Sequence, residues 1–213
     1  IFPRHLTIPD LQHVDQRIAG RYIDMLKLAE AASEYVVFYN GPKCGASAPD
    51  HAHFQAGSKN FLPLEKEWNT IDKELLTKIK GAKFWLLDDQ PRATLVIEAT
   101  DKEASDTLFQ LVYYGLSDLS NEDEPMMNIL AWKEGVKWIT CIFPRKKHRP
   151  SCYTADGEDN LLISPASVDL GGVFICPQEK DFDKITADDI QQILEEVCIS
   201  TEDLDKFKEA TLL

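Results

Sequence analysis

Residues 40–55 read NGPKCGASAPDHAHFQ, and this stretch organises the rest of the chain. It opens on the last residue of a β-branched and aromatic run, YVVFYN (35–40), whose composition predicts a buried strand. A loop of small residues follows, and HAHFQAG then predicts a second strand. Side chains alternate across a strand, so His51, His53 and Gln55 share one face while Ala52 and Phe54 take the other. Phe54 would anchor that other face in a core and leave the polar trio lining a surface or cleft.

Working outward, IFPRHLTIP predicts a strand ending at Pro9. Residues Leu11–Glu34 carry apolar side chains at helical spacing, with Asp10 as N-cap. LPLEKEWNTIDKELLTKI (62–79) also predicts a helix. KFWLLDD and ATLVIEATD predict a hairpin joined by QPR, and DKEASDTLFQLVYYGLSDL a helix. Two further strands follow in 126–144 with Glu134-Gly135 at their turn, and VDLGGVFICP reads as a strand. Residues 185–213 form two helices split near Ser200, each opened by a Thr or Ser cap followed by acids. SNEDE reads as a solvent-facing acidic loop. Helices and mostly hairpin-linked strands, without regular alternation, define an α+β chain of antiparallel sheet and packed helices.

Composition excludes several functions. The chain has 213 residues, 44% of them hydrophobic, which supports a substantial core. Its formal charge of −13 repels nucleic-acid polymers. Apolar runs are too short to cross a bilayer, and no signal pattern opens the chain, so a cytoplasmic location is expected. Five cysteines without a C-x-x-C pair fit a reducing compartment. Because the chain starts at Ile1 inside strand-like sequence, a preceding segment is expected. Exposed strand edges would then favour a homodimer.

Two histidines and a glutamine on one strand face allow phosphate chemistry, a metal site or an ordinary surface. A neutral imidazole is a competent nucleophile once a hydrogen bond fixes its tautomer, and a backbone carbonyl two residues back from His53 could do this. A loop of small residues offers N–H groups to phosphoryl oxygens. Lys43 and Gln55 could add side-chain donors, and Asn40 could orient the loop or bind a ligand hydroxyl.

Six features in order, Asn40, Gly45, Ser47, His51, His53 and Gln55, resemble the histidine triad superfamily. The transferase branch is most similar, namely the galactose-1-phosphate uridylyltransferases and the diadenosine tetraphosphate phosphorylases. In that branch an Asn stands thirteen residues before the nucleophilic histidine, as Asn40 does before His53, and DHAHFQ is similar to the phosphorylases' DHKHLQ. The resemblance implies His53 as nucleophile, His51 as its orienting neighbour or a metal ligand, and Gln55 as a phosphate contact. Glutamine cannot serve as a general acid, which agrees with transfer to phosphate or a sugar phosphate rather than hydrolysis. Where the family has a serine five residues before the nucleophile, this chain has Ala48, with Ser47 beside it.

The resemblance also implies a zinc held by a Cys pair and two histidines, with His5 and His51 at the matching positions and the ligand set incomplete in this chain. Cys44 is either a substitute ligand or a small buried loop residue. The branch is built from two related halves, so residues 1–80 are expected to form the catalytic half, lacking its N-terminal strands, and 81–213 the second half with the C-terminal helices. Arg145 and Lys147, with Arg149, end a strand in the basic run PRKKHR, which suits either a phosphate tail or a solvated turn. The four tryptophans read as core.

The expected function is a nucleotidyltransferase or phosphorylase acting on a nucleoside polyphosphate or nucleotide sugar, with phosphate as partner substrate. A histidine-triad-type hydrolase and a non-catalytic nucleotide-binding module are the alternatives.

Overall fold

Strand β2 (Tyr35–Asn40) is buried along its whole length, as expected of a strand covered on both faces. The structure, a computed structural model describing residues 1–212, places it third in a single eight-stranded sheet. The other strands are β1 (His5–Pro9), β3 (His53–Ser58), β4 (Lys73–Ile79), β5 (Ala82–Leu87), β6 (Leu95–Ala99), β7 (Met127–Glu134) and β8 (Lys137–Pro144). Their order is β1-β3-β2-β7-β8-β6-β5-β4, and every neighbouring pair is antiparallel. The fold is therefore α+β. Strands from 1–80 and from 81–213 share this one sheet, because β2 pairs with β7 and β4 with β5, so that β7, β8, β6 and β5 lie between β2 and β4.

Alternation divides the core between the two faces. On one, Val37, Tyr39, Phe54, Ala56, Ile129 and Ile142 pack under helices α1 (Tyr22–Ala31), α3 (Lys102–Ser117) and α7 (Thr201–Thr211). On the other, Val36, Phe38, Leu130, Trp132 and Phe143 meet a layer of loops and short helices. That layer contains α2 (Leu64–Glu67), α4 (Ser167–Leu170), α5 (Glu179–Lys184) and α6 (Ala187–Val197). Trp68, Trp132 and Trp138 are buried and Trp85 is half-buried, as core positions should be.

The hairpins and capped helices form where their residues predict them. Asp101 accepts from Ala104 N at the start of α3, Thr186 caps α6 and Ser200 caps α7. Four expectations change.

The helix expected from Leu11 begins only at Tyr22. Gly20 has a φ of 71°, which ends the preceding segment, and residues 10–18 cross the sheet end as an extended strap. Helix 62–79 shrinks to α2, because 73–79 pair with β5 around the Gly81 turn and become the edge strand β4. VDLGGVFICP forms α4 and a turn rather than a strand.

Glu124, read as solvent-facing, is buried. It accepts from Ile18 N at 2.6 Å, Tyr39 Oη at 3.0 Å and Tyr113 Oη at 2.9 Å, joining the strap, β2 and α3. Burial followed by the Glu124 charge pushes the Tyr113 hydroxyl up to about 12.

Candidate functional site

His53 is the first residue of β3 and is 6% exposed. Its Nδ1 lies 2.8 Å from the His51 carbonyl, two residues back. A carbonyl only accepts, so Nδ1 carries the proton and Nε2 keeps its lone pair; Nε2 makes no hydrogen bond among the described residues. His51 precedes the strand, and its Nε2 donates to the Asp10 carbonyl at 3.0 Å. Each histidine is thus locked to one tautomer by the backbone.

Asn40 ends β2 on the same sheet face as His53. Its Oδ1 accepts from Ser167 N (2.9 Å), Ser167 Oγ (2.7 Å) and Asn128 Nδ2 (2.8 Å). The Ser167 N–H can only donate, which fixes the amide orientation and leaves Asn40 Nδ2 without a partner among the described residues. Asn128 passes the arrangement on, because its Nδ2 also donates to Cys44 O (2.7 Å) and its Oδ1 accepts from Arg145 Nη1 (2.6 Å). The free donor hydrogens of Asn40 and the free imidazole nitrogen of His53 therefore belong to the same sheet face at the adjoining ends of β2 and β3, and a buried polar chain holds Asn40 from beneath.

Arg145 closes that chain, and its place differs from the one its basic run suggested. It is 6% exposed, and its remaining donors go to the carbonyls of Val197, Pro165, Lys147 and His148. All five guanidinium hydrogens meet protein acceptors, so Arg145 anchors the site and has none left for a phosphate. Lys147 is paired with Glu196 and donates to Ser151 Oγ. Arg149 donates to Ser164 Oγ at 3.3 Å and lies over the Tyr153 ring.

The loop between β2 and β3 needs its glycine. Gly45 has a φ of 88°, and a Cβ there would stand 2.7 Å from the Ala166 Cβ. Cys44 beside it is buried, and burial pushes its thiol up to about 12, the behaviour of a packing residue rather than a ligand thiolate. Ser47 is exposed on the loop surface. Lys43 forms an ion pair with Glu122 at 2.7 Å. Burial, then the charges of Arg149, Arg145 and Lys43, lower the pKa of His148.

Gln55 lies further along β3, where its Oε1 meets His5 Nε2 at 2.9 Å. The register sets His5 opposite Gly57, six residues from His51 and so roughly 20 Å along the strand. His5 and His51 are not brought together. No group of three or more His, Cys, Asp or Glu fit to hold a metal occurs among the described residues, so these side chains by themselves do not complete the ligand set of the zinc that the resemblance implies. No helix among them is long and apolar enough to cross a membrane.

Residues 65–212, more than half of the chain, match the family described as "GDPGP1-like, C-terminal domain". The chain belongs to the GDPGP1-like family. Residues 1–58 match a second family, "Domain of unknown function (DUF4922)". The site draws on both regions: Asn40, His51 and His53 lie in the DUF4922 part, and Asn128, Arg145 and Ser167 in the GDPGP1-like part. No curated protein matches the chain. Among solved structures, a DUF4931 family protein from Bacillus cereus ATCC 10987 is similar at 20% identity with a TM-score of 0.42, over 72% of this chain and 76% of that one.

The sequence did not point to Asn128, Ser167 or Gln16 as site residues. Asn128 and Ser167 stand 88 and 127 residues from Asn40, and no local pattern marks a buried Asn or Ser as a partner at that range.

Proposed function

We propose that the protein is a nucleotidyltransferase or phosphorylase that works through a nucleotidyl-histidine intermediate. The observation that carries the reading is the 2.8 Å bond from His53 Nδ1 to its own strand's carbonyl, which leaves Nε2 as a free nucleophile beside the free amide of Asn40. Membership in the GDPGP1-like family is coarse support for nucleotide processing of the phosphorylase or transferase kind.

In the first step the Nε2 lone pair forms a bond to the α-phosphorus of a nucleoside polyphosphate or nucleotide sugar. The bond from that phosphorus to the bridging oxygen breaks, and the phosphate-terminated leaving group carries off the electron pair. His53 is then a cation that keeps its proton on Nδ1, where it is donated to the His51 carbonyl. Asn40 Nδ2 and the N–H groups of the Gly45 loop are the donors nearest the developing negative charge. Lys43 joins them by leaving Glu122. In the second step an oxygen of inorganic phosphate or a sugar phosphate attacks the same phosphorus, and Nε2 leaves as neutral imidazole. No member of this set is placed to activate water, which favours phosphate or sugar phosphate as acceptor.

Single-turnover incubation with α-labelled ATP, GTP, UTP and nucleotide sugars, followed by acid and base treatment, tests this. An acid-labile, base-stable label on the wild type, absent from His53→Ala and discharged by added phosphate, is the expected result. Equal behaviour of the two proteins with every donor would remove His53 as nucleophile, and discharge at the same rate without phosphate would mark a hydrolase.

A further inference from the structure

The ladder between β2 and β3 stops short of the site. Its pairs run from Tyr35↔Ser58 to Phe38↔Gln55, although β2 continues to Asn40 on its β7 side and β3 starts at His53 on its β1 side. Two steps beyond the last pair, Asn40 would face His53 and exchange backbone hydrogen bonds with it. The carboxamide of Gln16 stands there instead. Its Oε1 accepts from His53 N at 2.7 Å, and its Nε2 donates to His53 O and Asn40 O, both at 3.0 Å.

Gln16 is fully buried, and the strap that delivers it is tied to the same backbone. Gln16 N donates to Pro49 O, Ala52 N to Val14 O, and Asp10 N to Ala52 O. The residues on either side of His51 are thereby clamped from one side by a single crossing segment.

We infer that Gln16 is a positioning residue for His53: its carboxamide, inserted as a spacer between β2 and β3, sets the distance between the His53 imidazole and the Asn40 side chain. That distance is the span available to the reacting phosphate, so the inference rests on the proposed function. The chemistry of the slot selects the residue type. One backbone donor and two backbone acceptors converge there, which requires a group with one acceptor and two donors at the end of a two-carbon stem. Glutamate accepts but cannot donate when ionised, methionine does neither, and asparagine is one methylene short. A plain ladder would bring the strands to ~4.8 Å and press the two side chains together.

The test uses the whole chain carrying Gln16→Met or Gln16→Glu, with Tyr113→Phe as a control that loses only a half-buried hydrogen bond to Glu124. Single-turnover labelling with α-labelled ATP and GTP is read together with the imidazole nitrogen resonances of His53. In Gln16→Met the labelling rate at saturating nucleotide should fall ~10- to 100-fold, the scale expected for misplacement of a reacting group. The half-saturating concentration should not move, since the contacts to nucleotide are intact. The His53 resonances should depart from the single Nδ1–H tautomer. Gln16→Glu, which keeps the acceptor for His53 N, should fall between wild type and Gln16→Met, and it carries the test if Gln16→Met does not fold. Tyr113→Phe should keep the wild-type rate.

A wild-type rate and unchanged His53 resonances in Gln16→Met overturn the inference, as does a rate loss that tracks thermal stability equally in Gln16→Met and Tyr113→Phe. If the wild type takes no label from any donor, the proposed function falls, and the His53 resonances still decide whether Gln16 positions the imidazole.

Discussion

The pairs β7–β8 and β2–β3 are both antiparallel and both largely buried, yet they are built for different ends. β7–β8 is a complete ladder, running without a shift from Met127↔Pro144 to Glu134↔Lys137 and closing on a tight turn at Gly135, where φ is 58°. β2–β3 keeps four pairs and then parts around the Gln16 carboxamide. The regular pair is the scaffold, with Asn128 and Arg145 at its open end holding Asn40 from below. The irregular pair presents chemistry, because only where strands part can two side chains of one face admit a ligand between them. Completeness supplies rigidity, and the interruption supplies a site.

The comparison breaks most severely at Arg145. Arg145→Met removes five hydrogen bonds and leaves four of their acceptors, all but Val197 O, without a donor among the described residues, and a loss of about 3 kcal/mol or more is expected in urea denaturation. Nucleotide binding should fail in the same variant, since Asn128 and Asn40 lose their support. A scaffold that kept its full stability would mean that the buried chain is not what holds the site.

Gly45→Ala should cost less, about 1–3 kcal/mol, because it combines a left-handed backbone with a 2.7 Å contact to Ala166. The expected signature is local: faster amide exchange in residues 41–50 with little change in β7–β8. Uniform loss of protection across both pairs would contradict the separation drawn between them.

The smallest effect belongs to Glu196, which ties α6 to the turn after β8. Burial by itself would raise this carboxyl, but the Lys147 ammonium and the Ser151 hydroxyl and N–H outweigh it and hold it down at about 2. A depressed carboxylate contributes stability that is complete above its ordinary value of 4.5 and is lost as pH falls toward about 2. Glu196→Gln should therefore flatten that part of the stability-against-pH curve and leave the curve above pH 5 with its wild-type slope. An unchanged acid limb would show that the ion pair contributes nothing.

Where the deciding forces are local, the residues announced the structure. The hairpin turn at Gly135, the Thr186 and Ser200 caps, and the alternation that buries Phe54 while turning His53 to the opposite face all act within a few residues. Helical spacing in 11–34 misled because the same apolar positions serve a strap whose Ile18 enters the core while Leu11 stays in water. Residues 73–79 misled because β4 is an edge strand with half its side chains in solvent, so its composition carries no strand signal. Among the site residues, the carbonyl bond to His53 Nδ1 was readable as a two-residue contact, whereas the confinement of Arg145 was not.

The sequence by itself determined which side chains could do chemistry and on which face of a strand they lie, because spacing and alternation are properties of the local chain. Only the tertiary structure decided how far apart those side chains stand. That distance is set by Gln16, whose partners lie 24 and 37 residues away, and by the Asn128–Arg145 support drawn from the far half of the sheet. Hydrogen bonds between groups so distant in sequence form only after the sheet has assembled, and they leave no periodicity to read.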